Sequence, residues 1–125
     1  MSTTLSLVGN VYNADSASRY ELLRIAPSLS IERLIHYGRN SIDNGETHTI
    51  DLSEMPDPGS GPQAKALLLF VHTGSVVVSG VTGAGGGDII HTYVNKMCVL
   101  LDARMLSLSI TGSTDGSIYD LIVGG

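Results

Sequence analysis

Along the second half of the chain, apolar residues recur at every second position, which is the period of a strand with one dry face. In "THTIDL", residues 47–52, His48, Ile50 and Leu52 share one face while Thr47, Thr49 and Asp51 share the other. "MLSLSITG", residues 105–112, sets Leu106, Leu108 and Ile110 against Ser107, Ser109 and Thr111. "KALLLFVHT" is apolar on both faces, as suits a central strand or one covered by another subunit. "SVVVSGV", "DIIHTYV", "MCVLLD" and "SIYDLIVGG" bring the predicted strands to seven. Asn95 with Lys96, residues 102–104 and the "TGSTDGS" stretch are short and rich in turn formers, so they predict antiparallel neighbours joined by hairpins. Parallel pairing needs longer crossovers. The expected fold is all-β: an antiparallel β-sandwich or jelly roll.

The first forty residues carry a mixed signal. In "SRYELLRI", Ser18 and Glu21 stand at capping-box spacing and Pro27 follows, the marks of a short helix. The same stretch reads as a strand. In "PSLSIERLIHYG", Leu29, Ile31, Ile35 and Tyr37 alternate, with Arg33 the exception. Strands are preferred because everything downstream is β. The chain is read as one β domain over residues 1–125. Within it, residues 1–40 supply extra strands or an N-terminal docking arm, with a short helix as the alternative. Residues 53–63 hold three of the four prolines and two glycines, and read as a surface loop.

Composition adds a hint of assembly. A chain of 125 residues is long enough to bury its own core. It is 42% hydrophobic but only 15% charged, less charge than a monomer normally spreads over itself. The net charge of −5 and seven scattered basic residues, four of them Arg19, Arg24, Arg33 and Arg39, form no stripe for a phosphate backbone, so nucleic acid is not an expected partner. The opening "MSTTLSLVGN" lacks the charged and apolar regions of a signal peptide, and no apolar run approaches the ~20 residues of a membrane span. Neither membrane binding nor secretion is expected. The single cysteine, Cys98, excludes an intrachain disulfide and sits between apolar neighbours as an inert thiol.

Candidate chemistry is thin. His48, His72 and His91 each precede a threonine, but no two of the four histidines stand within ten residues, so a metal site would need separate strands to build it. They read as hydrogen-bonded core or interface histidines. "GVTGAGGGDII" offers no lysine after its glycines and a β-branched strand rather than a helix, so it reads as a turn and not a phosphate loop. Asp43, Glu46, Asp51, Glu54 and Asp57 cluster around loops without aromatic neighbours to stack a sugar. No G-x-S-x-G elbow occurs. No catalytic residue, metal ligand or cofactor is assigned, and the expectation is that the chain is not an enzyme.

Three stretches, "SIDNGETHTIDLSEM", "AKALLLFVHTGSVVVSGV" and "SLSITGSTDGSIYDLIVGG", give residues 41–125 a style that resembles bacteriophage virion structural proteins. These are small β-sandwiches of the head-decoration, capsid-fibre and tail-accessory type. The resemblance implies a homo-oligomeric component, made in the host cytoplasm and carried in the virion. It would bind copies of itself and major capsid or tail proteins by shape. No residue role is carried over from it. The residues chosen here as the interface are Leu68, Phe70 and His72, on one face of the two-sided strand. The alternative function is a carbohydrate-binding module of a receptor-binding apparatus, with a glycan held by loops 53–63 and 83–88.

Overall fold

The computed structural model describes residues 3–15, 18–59, 61–82 and 89–125. Among them there is no helix, and every strand ladder is antiparallel. The all-β expectation is met.

Residues 3–15 pair antiparallel with residues 18–31 as a long two-stranded arm. β1 (Thr3–Ser6) pairs with β4 (Ser28–Ile31), and β2 (Gly9–Asp15) pairs with β3 (Ser18–Ile25). A bond from Leu7 N to Pro27 O (3.0 Å) carries the ladder across the break. The helix that Ser18 and Glu21 suggested is therefore a strand. Cross-strand pairing outweighs a local cap that offers only one or two bonds. The base of the arm is fixed to the main body. Ile31 is 1% exposed, Glu32 and Arg33 both donate backbone N–H groups to Gly125 O, and Gly125 N returns a bond to Arg33 O.

The main body contains β5 (Leu34–Ile42), β6 (Thr47–Thr49), β7 (Ala64–Thr73), β8 (Val76–Thr82), β9 (Ile89–Val94), β10 (Met97–Gly112) and β11 (Ser117–Gly124). Residues 34–40, part of the stretch read on sequence as extra strands or a docking arm, lie in β5, which pairs with β11. The order is β5-β11-β7-β10-β8-β9, with β6 also on β10. β10 is the spine. Its first half pairs with β7 and its second with β8, and the change of neighbour falls at Met105, which opposes both Ala64 and Thr82. Between Leu101 and Met105 three residues of β10 oppose only Lys65, and Asp102 takes a φ of 58°. A bulge of this kind bends a strand and lets it pass from one layer to another.

That bulge corrects the reading of residues 102–104 as a hairpin turn: they lie inside one strand. The other two expected hairpins are also corrected. β9 does not pair with β10 across Asn95 and Lys96, nor β10 with β11 across residues 113–116. These short links carry the chain between layers. Among the described residues of the body, only β8 and β9 are sequential neighbours that pair.

The core lies between the layers. From one side come Leu67, Leu69 and Val71 of β7 with Tyr119, Leu121 and Val123 of β11; from the other, Val76, Val78, Leu108 and Ile110. Alternation puts these residues inward, and each fully buried Leu, Ile or Val contributes about 1.5–3 kcal/mol. Loop 53–63 is less superficial than expected. Met55 and Gln63 are buried in it, and Leu52 and Ile50 lead into it from the core.

Candidate functional site

The outward face of β7 is the surface on which the chain's chemistry and its exposed apolar side chains meet. Opposite the buried Leu67, Leu69 and Val71 stand Leu68, Phe70 and His72, the three residues singled out from sequence. Leu68 is half-buried, Phe70 is 46% exposed and His72 is exposed. The ladder extends this face in both directions. Ile122 and Val99 flank Leu68, while Asp120 and Met97 flank Phe70. Met97 is 57% exposed. At the arm end, Leu5 and Leu7 line a narrow gap of about 30 Å³ with Leu68, Val99, Leu101 and Ile122. The arm base thus reaches over one end of the apolar face and leaves Phe70 and Met97 uncovered.

Asp120 organises the polar end of this face. In β5, Gly38 and Arg39 together oppose the single residue Asp120, a bulge in which Arg39 has a φ of 47°. The Asp120 carboxylate accepts the Arg39 backbone N–H at 2.5 Å on one oxygen and His72 Nε2–H at 2.5 Å on the other. His72 in turn meets the Phe70 ring edge-on, with centroids 4.8 Å apart. These bonds favour the carboxylate. The Arg39 N–H first, and His72 after it, hold Asp120 below the ordinary aspartate range.

A folded-state pKa below the unfolded one contributes stability above the unfolded value, and that contribution is lost as pH falls through the folded value. The expected result for Asp120→Asn is a lower melting temperature than wild type at pH 7, with the gap closing below about pH 4. Paired thermal melts from pH 3 to 7 check this. A gap independent of pH would show that the carboxylate charge is not what holds the bulge.

His48 and His91 also have partners. His48 Nδ1 lies 2.7 Å from the hydroxyl of buried Tyr119, and its Nε2 lies 3.6 Å from Glu46 Oε1. The Glu46 carboxylate favours the proton on Nε2, so Nδ1 accepts from the Tyr119 hydroxyl and links β6 to β11. His91 bonds through Nδ1 to the Ser79 hydroxyl at 3.0 Å. Among the described residues, no three His, Cys, Asp or Glu side chains converge on a metal-sized space.

The acidic residues of the loops act as turn caps. Asp57 accepts from Gly59 N and Gly61 N, Asp51 from Ser53 N, and Asp43 from Gly116 N. Cys98 is half-buried rather than sealed, and burial pushes its thiol up, away from thiolate reactivity. Loop 53–63 borders two open grooves. One, of about 450 Å³, is lined by Thr49, Asp51, Ser53, Pro62 and Ser107 among others. The second, of about 350 Å³, is lined by Pro58, Gln63, Lys65, Asp102 and Arg104. Neither presents an aromatic ring. Loop 83–88, the other half of the glycan expectation, lies outside the described residues.

Comparison with protein-family models, curated proteins and solved structures finds no match to this chain.

Proposed function

We propose that the protein is a structural subunit that assembles with copies of itself by protein–protein binding. We further propose that its setting is a bacteriophage virion, with capsid decoration ahead of tail attachment. The observation that carries the assembly reading is the outward face of β7 and its neighbours. There Phe70 and Met97 stand open beside half-buried Leu68, Val99 and Ile122. Soluble monomers rarely leave large apolar side chains grouped in this way, and such groups mark interaction surfaces. The arm supports the same reading. An isolated two-stranded hairpin is marginal in water, and among the described residues β2 and β3 pair only with each other. A docking partner would supply the missing layer. The virion setting rests on the resemblance of residues 41–125 to phage structural proteins in sequence style.

The test is the mass in solution, measured by light scattering behind size exclusion, for wild type, Phe70→Asp and Met97→Lys. The expected result is a discrete oligomer for wild type. Both variants are expected to give smaller species with unchanged circular dichroism. Met97→Lys is included because an aspartate at position 70 would face Asp120 across the ladder. A wild-type monomer overturns the reading, and so do two variants that keep the wild-type mass.

The second reading, glycan binding, is favoured by the groove at Gln63, Lys65, Asp102 and Arg104, whose planar and charged groups suit sugar hydroxyls. It ranks second because neither groove beside loop 53–63 offers a stacking ring. Saturable binding on a glycan array, lost in Arg104→Ala, would raise it to first.

A further inference from the structure

The two sides of the sandwich differ in how their strand edges are protected. On one side β5 is bent by the Gly38 and Arg39 bulge and carries charge, and β6 is only three residues long. Residues 43–46 then tie this side to β10 and the following turn: Asn44 bridges Gly112, and Asn44 N donates to Asp115 Oδ1 at 3.0 Å. Bulges, charge and short length are the usual means by which an edge avoids pairing with another chain.

The opposite side has none of these over two segments. Among the described residues β9 pairs only with β8, in unbroken register along its whole length. The first half of β10, residues 97–101, pairs with β7 on one side, and among the described residues its other side has no partner. Asn95 and Lys96 join the two segments, which places both edges on the same flank, one in each layer. Neither "IIHTYV" nor "MCVLL" contains proline, Asp, Glu, Lys or Arg. The core is also open along this flank. Ile90, Cys98 and Leu100 pack on the buried cluster yet are only partly covered.

We infer that this flank is a two-fold interface with a second copy of the chain, in which β9 pairs antiparallel with β9 of the second copy. The first half of β10 then lies beside its own counterpart, and the two cores become continuous. This inference rests on the assembly reading above and names the contact. The occupant follows from charge and symmetry. Two copies of a chain with net charge −5 repel each other, so a self-contact needs a surface free of carboxylates, and these two segments provide one. An edge that meets itself about a two-fold axis closes the assembly, so it does not propagate into a fibre. Tyr93, 62% exposed, and Met97 flank the contact and supply the large side chains that interfaces favour. Met97 also borders the Phe70 face, so the two surfaces are continuous.

The test is Thr92→Lys. Thr92 is exposed on β9 at the open rim of the core face that it shares with Ile90 and Val94, and a lysine there keeps its ammonium in water while it sets two like charges across the axis. Solution mass is read for wild type and variant, together with amide hydrogen exchange of wild type at high and low concentration. The expected result is a wild-type oligomer in which the β9 amides not bonded to β8 are protected only at high concentration, and a Thr92→Lys species with half as many copies and unchanged circular dichroism. A Thr92→Lys protein that keeps the wild-type mass overturns the edge contact while leaving assembly intact. A wild-type monomer overturns both. If Thr92→Lys fails to fold, exchange decides, and those β9 amides equally fast at both concentrations overturn the inference.

Discussion

Replacing Tyr119 by alanine is expected to cost about 3–5 kcal/mol, the range for emptying a large aromatic from a core. Tyr119 is 1% exposed and sits in β11 among Leu121, Val123 and the inward residues of the facing layer. A domain of this kind holds only about 5–15 kcal/mol in total, so much of its stability rests on this ring. Tyr119→Phe isolates the hydroxyl. Losing the bond to His48 Nδ1 should cost about 0.5–1.5 kcal/mol at pH 7. The difference should also depend on pH in one direction. Burial, with Tyr37 and Glu46 adding repulsion, pushes Tyr119 up to about 12 from an ordinary 10. A raised folded-state value leaves its contribution intact below pH 10 and removes it as pH climbs toward 12. Wild type should therefore lose an advantage over Tyr119→Phe between those limits. Denaturant midpoints measured at pH 7, 9 and 11 would show the gap closing. A gap that widens at pH 11 would mean that the phenolate is tolerated inside and that the burial argument is wrong.

That ring also shows what the sequence disclosed. Alternation along residues 65–73 sorted Leu67, Leu69 and Val71 from Leu68, Phe70 and His72, and the structure keeps the two sets on opposite faces. Leu108 and Ile110 likewise face inward. A two-residue period is local, and local patterns survive folding when one face is buried. Connections were less readable. A hairpin turn, a bulge and a link between layers all use short runs of polar and small residues. Nothing in "DAR" tells a turn from the kink that keeps β10 a single strand of sixteen residues.

The candidate face was legible only in part. Its apolar half follows from parity on β7. Its polar half depends on Asp120, 48 positions from His72, and on a backbone N–H of β5. One local signal was available: Asp120 shares its outward parity with Ile118 and Ile122, and a lone carboxylate between isoleucines on one strand face needs a partner. His48 and Tyr119 are 71 positions apart. Pairs this distant become visible only once the order of strands is known, and the mistaken hairpins had hidden it.

Gly112→Ala is expected to be the most damaging small substitution, at roughly 3 kcal/mol, the upper end of what overpacking usually costs. A Cβ at Gly112 would lie 2.1 Å from the Asp43 carbonyl oxygen and 2.8 Å from its carbon. Backbone cannot swing aside as a side chain can, and this backbone is held from several directions. Gly112 N donates to Glu46 O, Gly45 N donates to Gly112 O, Ser113 N donates to Ser75 O, and Asp43 Oδ1 accepts Gly116 N. Any shift that relieves the clash breaks at least one of these bonds. Gly116→Ala is the control, because its φ of 69° is unfavourable for alanine while nothing lies within 4 Å of the new methyl group. It should cost about 1 kcal/mol, the strain of a left-handed residue alone. Thermal melts of the two variants, with light scattering on each, separate crowding from backbone conformation. The expected order is wild type, Gly116→Ala, then Gly112→Ala, the last lower by about 10 °C at this chain length. The reverse order would mean that residues 43–46 are free to move off β10. The flank closed by Asn44 and β6 would then be as open to a partner as the flank of β9.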